Sequence, residues 1–155
     1  MKYQLLTKEQ FEELHIEFAN FLASQQIDKK QWEEIKMNNP EAAQEEMNIF
    51  SDLIWEKVLD KTSYIEHYSE KDLNLFKCNA EHMERILVKV EKENFNFLNK
   101  EDFNWFMDHT NDKSVSFLRG KKPYASEKNT EIFDLIQKGG IISKGTLFEA
   151  IIKIL

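Results

Sequence analysis

Tyr64-Ile65-Glu66-His67-Tyr68, then Leu73-Asn74-Leu75-Phe76-Lys77-Cys78, then Ile86-Leu87-Val88-Lys89-Val90-Glu91: this stretch decides the fold. Within it apolar and polar residues alternate, and aromatic and branched side chains suited to a pleated surface are dense. On both sides of it the apolar residues recur at steps of three and four, the spacing of helices. Ser69 to Asp72 supplies a turn and Asn79 to Glu84 a polar connection, and links this short favour hairpins over crossovers. The expected class is α+β, with N-terminal helices, a small three-stranded antiparallel β-meander in the middle and C-terminal helices.

Upstream, Thr7 and Gln10 have capping-box spacing, and Phe11, Leu14, Phe18, Phe21 and Leu22 share one face of a helix expected from about Lys8 to Gln25. Asp28 and Gln31 repeat the signature before a short helix carrying Trp32 and Ile35 and ending near Asn38 and Asn39. Pro40 suits the first position of a third helix, whose stripe is Ala43, Met47, Phe50, Ile54 and Val58.

Downstream, Phe95 and Phe97 fall out of phase with Ile86, Val88 and Val90, which calls for a bulge or a chain reversal after Lys92. Asn99 can cap a helix bearing Phe103, Phe106 and Met107 and ending near His109; Trp105 lies off that stripe. Val115 to Leu118 fits a strand or a short helix, and the flanking Asp112 and Gly120 favour the helix. Ser126 opens a helix closed by Gly139-Gly140, and Ser143 caps the last one, in which Leu147, Phe148, Ile151 and Ile152 leave little polar face.

The 155 residues are expected to form a single domain, 1–155, able to bury roughly 70% of the surface of the extended chain. The N-terminal apolar run is too short for a signal peptide, and Cys78 is the sole cysteine, so no internal disulfide forms and a cytoplasmic location is expected. No stretch is long and apolar enough to cross a membrane. Of the net charge of −7, residues 1–60 carry all of it, with 6 Lys against 13 Asp plus Glu, while residues 61–155 balance at 15 and 15. Such asymmetry bears on partners and solubility and leaves the fold undetermined.

No G-x-S-x-G, H-E-x-x-H, Walker or dinucleotide-binding glycine pattern is present, and no cofactor is expected. Glu12 and His15 make one E-x-x-H step, whereas di-iron bundles need two plus further glutamates; a solvated face accounts for the pair and no metal site is assigned. His67 could approach Cys78 if the first two strands pair, giving a minimal activated thiol, although cysteine is more often a buried, inert residue. Arg119, Lys121 and Lys122, with Lys113 and Lys128 nearby and Phe117 and Tyr124 interleaved, form the one basic stretch and the candidate anion-binding residues. That stretch is short on a chain of −7, which disfavours nucleic acid.

The most unusual pattern is acidic. Glu9, Glu13 and Glu17 repeat at i,i+4 on the first helix and Asp52, Glu56 and Asp60 on the third, where like charges cost a few tenths of a kcal/mol per pair. A basic protein surface would offset that cost, so Glu9, Glu13, Glu17, Asp52 and Glu56 are the candidate partner-binding residues. The expected role is a non-enzymatic protein-interaction domain; the alternative is a small enzyme or metal-binding protein with a site near His67 and Cys78 or Glu12 and His15.

Tyr3-Gln4-Leu5-Leu6-Thr7-Lys8-Glu9-Gln10-Phe11, with Phe21-Leu22-Ala23-Ser24-Gln25, Ile49-Phe50-Ser51-Asp52-Leu53 and Glu131-Ile132-Phe133-Asp134-Leu135, resembles a family of short bacterial proteins known as a domain of unknown function. The resemblance runs along the whole chain. It implies one cytoplasmic domain and brings no activity, cofactor or catalytic residue.

Overall fold

The computed structural model describes residues Met1–Leu155 and divides into two compact units, Met1–Asp60 and Lys61–Leu155. The division coincides with the charge boundary, so the whole excess of negative charge belongs to the first unit.

Met1–Asp60 is all helical: α1 (Lys8–Glu13), α2 (His15–Ser24), α3 (Lys29–Asn38) and α4 (Pro40–Asp60). Both expected capping boxes form, Thr7 with Gln10 and Asp28 with Gln31. The helix expected over Lys8 to Gln25 is instead two, because Leu14 leaves helical geometry at φ −100°, ψ 23°. Asn39 Oδ1 accepts from the Ala42 N–H at 3.2 Å, which caps α4 just ahead of Pro40. An aromatic cluster ties the helices together: Phe18 lies 5.4 Å from Phe11, 5.3 Å from Trp32 and 5.0 Å from Phe50 between ring centroids. Edge-to-face and tilted pairs of this kind add about 0.5–1.5 kcal/mol each to the area they bury. The segment before α1 is held to α4, where Ser51 Oγ accepts from the Leu6 N–H at 3.0 Å and donates to the Met47 carbonyl at 2.7 Å.

Lys61–Leu155 is built on a five-stranded antiparallel sheet: β1 (Tyr64–Tyr68), β2 (Asp72–Cys78), β3 (His82–Val90), β4 (Val115–Pro123) and β5 (Ile141–Ser143), with α5 (Lys100–Asp108), α6 (Lys128–Gln137) and α7 (Thr146–Ile152). The strand order is β4-β3-β2-β1-β5, so the meander continues through a fourth strand and β5 closes on β1. The α+β class holds; the three expected strands are five. The helix favoured over Val115 to Leu118 is strand β4, paired with β3 from Val90↔Val115 to His82↔Pro123. Ser143, expected to cap the last helix, ends β5 opposite Tyr64, and its hydroxyl accepts from the Gly145 N–H at 3.1 Å.

Alternation sorts the side chains. Leu73 and Leu75 on β2 share a face with Ile86, Val88 and Val90 on β3, and with Phe106, Phe148 and Ile151 from α5 and α7 they form the core. Burying each such side chain stabilises the fold by roughly 1.5–3 kcal/mol. After Val90 the chain leaves the sheet, as the phase change requires, and Phe95 and Phe97 return to the same core, with the Phe97 N–H bonded to the Glu70 carbonyl at 2.8 Å. On the opposite face α6 ends in a left-handed Gly139 at φ 102°, and the Gly140 N–H reaches the Leu135 carbonyl at 2.8 Å.

Candidate functional site

The acidic helices divide their carboxylates between two jobs. Asp52 accepts the backbone N–H groups of Lys2 and Tyr3 at 2.7 and 2.9 Å, and Glu56 accepts the Tyr3 hydroxyl at 2.7 Å with Lys2 Nζ 3.7 Å away. Both residues are therefore engaged in fastening the N-terminal segment to α4. Burial and the Glu56 carboxylate push the Tyr3 hydroxyl up to about 12. Glu9, Glu13 and Glu17 are exposed and have no cation within 4.0 Å. Glu12 is exposed beside them, and Ile16 projects among these carboxylates with 62% of its surface open. His15 uses Nδ1 on the Glu12 backbone carbonyl at 2.9 Å, so the E-x-x-H step closes on its own helix turn.

The thiol candidate comes apart in the sheet register. His67 lies opposite Asn74, and Cys78 sits four residues further along β2, roughly 13 Å away at strand spacing. His67 Nε2 instead meets the Lys138 carbonyl at 3.1 Å, and His82 Nε2 meets Asn79 Nδ2 at 3.2 Å. Burial pushes the Cys78 thiol up to about 11 against a smaller pull from Lys128, so near neutral pH it is protonated. No group of three His, Cys, Asp or Glu side chains converges to hold a metal ion. Trp105, singled out as off the helix stripe, is half-buried between the edge of Phe95 and a stacked His109 at 4.6 Å, with Lys92 Nζ 3.9 Å from its ring.

Arg119, Lys121 and Lys122 are brought together on β4, where pleating sends them to two faces. Arg119 and Lys121 share one face, Arg119 lying 3.9 Å from Glu84; Lys122 points the other way, 4.0 Å from Glu131 on α6. Between α6 and the β3–β4 edge lies an open cavity of about 650 Å³ with an apolar floor of Phe76, Met83, Leu87 and Leu135. Glu131, Asp134 and Lys138 line its helix side, with Arg85 and Lys122 on the strands. Glu131 keeps one carboxylate oxygen buried without a hydrogen-bond partner. Sequence reading missed this groove because it is assembled from β2, β3, β4 and α6, and no local motif spans them. The alternation of Val115, Phe117 and Arg119 was the available signal.

No curated protein and no solved structure matches the chain. A family model does match it over residues 1–155, and the chain belongs to that family, a family of unknown function (DUF6495).

Proposed function

We propose that this family member is a cytoplasmic, non-enzymatic interaction protein that docks the acidic face of α1 and α2 on a basic surface of a partner protein. The observation that carries this reading is the state of Glu9, Glu13 and Glu17: exposed and without a cation within 4.0 Å, two on α1 and one in the first turn of α2. Glu9 and Glu13, at i,i+4 on α1, repel each other at a cost of a few tenths of a kcal/mol. A partner offering lysines or arginines converts that repulsion into attraction, and the surplus of negative charge in residues 1–60 speeds encounter. Exposed Ile16 supplies an apolar centre within a charged rim, the usual layout of a protein interface. Asp52 and Glu56 contribute by fixing the N-terminal segment against α4.

The test is affinity capture from native-cell lysate with the wild-type chain and with the triple variant Glu9→Lys, Glu13→Lys, Glu17→Lys. The positions are exposed, so the variant keeps its far-ultraviolet circular dichroism and its unfolding midpoint. The expected result is a basic protein retained by the wild type at low salt, released at high salt and absent from the variant. Partners that bind both chains equally would sink the proposal.

A further inference from the structure

The sheet has one long open rim. Nine residues of β4 pair with β3 on one side, and no strand lies on the other. Such an edge presents a row of free N–H and C=O groups able to accept another strand. The opposite edge, β5, offers three residues only. Along β4, Val115, Phe117, Arg119 and Lys121 line one face; Ser116, Leu118, Gly120 and Lys122 line the other. Leu118 is 61% exposed, and a Cβ placed on Gly120 would meet no atom within 4 Å, so there is room for a neighbouring side chain beside them. The cations are barely neutralised: Arg119 and Lys122 stand 3.9 and 4.0 Å from their carboxylates, and Lys121 has none within 4.0 Å.

We propose that the free edge of β4 is a docking site for an extended acidic segment of a partner protein, which adds to the sheet as a further strand. Charge selects the occupant and its orientation. Acidic side chains of the added strand lie beside Arg119 and Lys121. Its alternate side chains lie beside Leu118 and Gly120, where the floor of Met83 and Leu87 favours apolar groups; around that floor Arg85, Lys122 and Lys138 outnumber Glu131 and Asp134, so the net negative charge of the added strand suits this face too. The ligand is thus a segment that alternates acidic and apolar residues, recognised by main-chain pairing and by every second side chain. A second copy of this chain is a poor occupant: the antiparallel register that overlaps all of Val115–Pro123 sets Arg119 opposite Arg119. Nucleic acid is disfavoured by the net charge of −7 and makes no use of the open backbone rim. The site is of opposite sign to the α1–α2 surface and lies in the other unit, so either proposal can fail without the other.

The experiment titrates the 15N-labelled full chain with an acetylated and amidated heptapeptide of alternating Glu and Val. A second heptapeptide of alternating Glu and Pro keeps the charge but lacks strand-forming donors. The expected result is amide shifts confined to residues 115–123 and the groove, slowed hydrogen exchange along β4, and binding at least about tenfold tighter than for the proline peptide. The double variant Arg119→Glu, Lys121→Glu, folded by its own amide spectrum, should weaken binding by about tenfold or more. The proposal is overturned by shifts that avoid β4, by equal binding of the two peptides, or by tighter binding of single-stranded oligothymidylate. It is equally overturned by β4 shifts that follow protein concentration without peptide, the mark of a second copy.

Discussion

Gln26 closes α2 in a left-handed conformation at φ 63°, with the Ile27 N–H on the Leu22 carbonyl at 3.0 Å and the Gln26 N–H on the Ala23 carbonyl at 2.9 Å. This is the bond pattern in which glycine normally fills the left-handed position, and a side chain there is strained. Gln26→Gly should raise stability by about 0.5–1 kcal/mol in urea unfolding, the relief of strain outweighing the added freedom of the unfolded chain. Cys78 gives the second prediction at this scale. Its thiol ionises near its ordinary 9.0 once the chain unfolds and near 11 when folded, so the unfolded state releases a proton first as pH rises. Stability should therefore fall between about pH 9 and 11, and Cys78→Ala should flatten that fall. Tyr3, pushed up to about 12 by burial and Glu56, acts in the same direction above its ordinary 10.0. Labelling of the native thiol should be slow at pH 8 and accelerate on unfolding; fast native labelling would place Cys78 in solvent.

At the scale of elements, what the sequence revealed and what it hid follow from the range of the forces involved. Thr7 with Gln10, Asp28 with Gln31 and Asn99 are bonds within one turn of chain, and the structure has all three caps. The first two strands and the latter part of the third were legible from their alternation, but β3 starts at His82 and not at Ile86: the expected connection Asn79 to Glu84 hid its first residues, where Met83 is buried on the face opposite Ile86 and Val88. β4 was not legible. Asp112 and Gly120 looked like helix caps, yet Asp112 Oδ1 accepts the Ser114 N–H at 2.9 Å in a turn that feeds the strand, and the Ser114 hydroxyl, followed by that N–H, holds its carboxyl below the usual range. Nine pairings with β3 outweighed two local signals. β5 has only three residues, too few to show a period. For the same reason the basic residues were legible as a cluster but their division between two faces was not. Charge on an exposed edge also guards it against self-association. Replacing Arg119 and Lys121 with Val should therefore make the protein associate with rising concentration in light scattering, while the unfolding midpoint at low concentration stays near wild type. A monomer at all concentrations would show that the edge is protected in another way.

For the whole molecule, charge is partitioned along the chain: residues 1–60 hold a net of −7, and residues 61–155 are balanced but carry a basic edge strand. The partition was readable from the sequence, because counting charges needs no fold. Which carboxylates remain available was not, since the engagement of Asp52 and Glu56 with the N-terminal segment joins residues about fifty positions apart. If Glu9, Glu13 and Glu17 form the binding surface, affinity must depend on salt through them. With the captured partner purified, the dissociation constant is measured from low to high ionic strength for the wild type and for Glu9→Gln, Glu13→Gln, Glu17→Gln. Wild-type affinity should fall steeply with salt, and the neutralised variant should bind more weakly at low salt with a much flatter dependence. Identical salt profiles for the two proteins would contradict that surface.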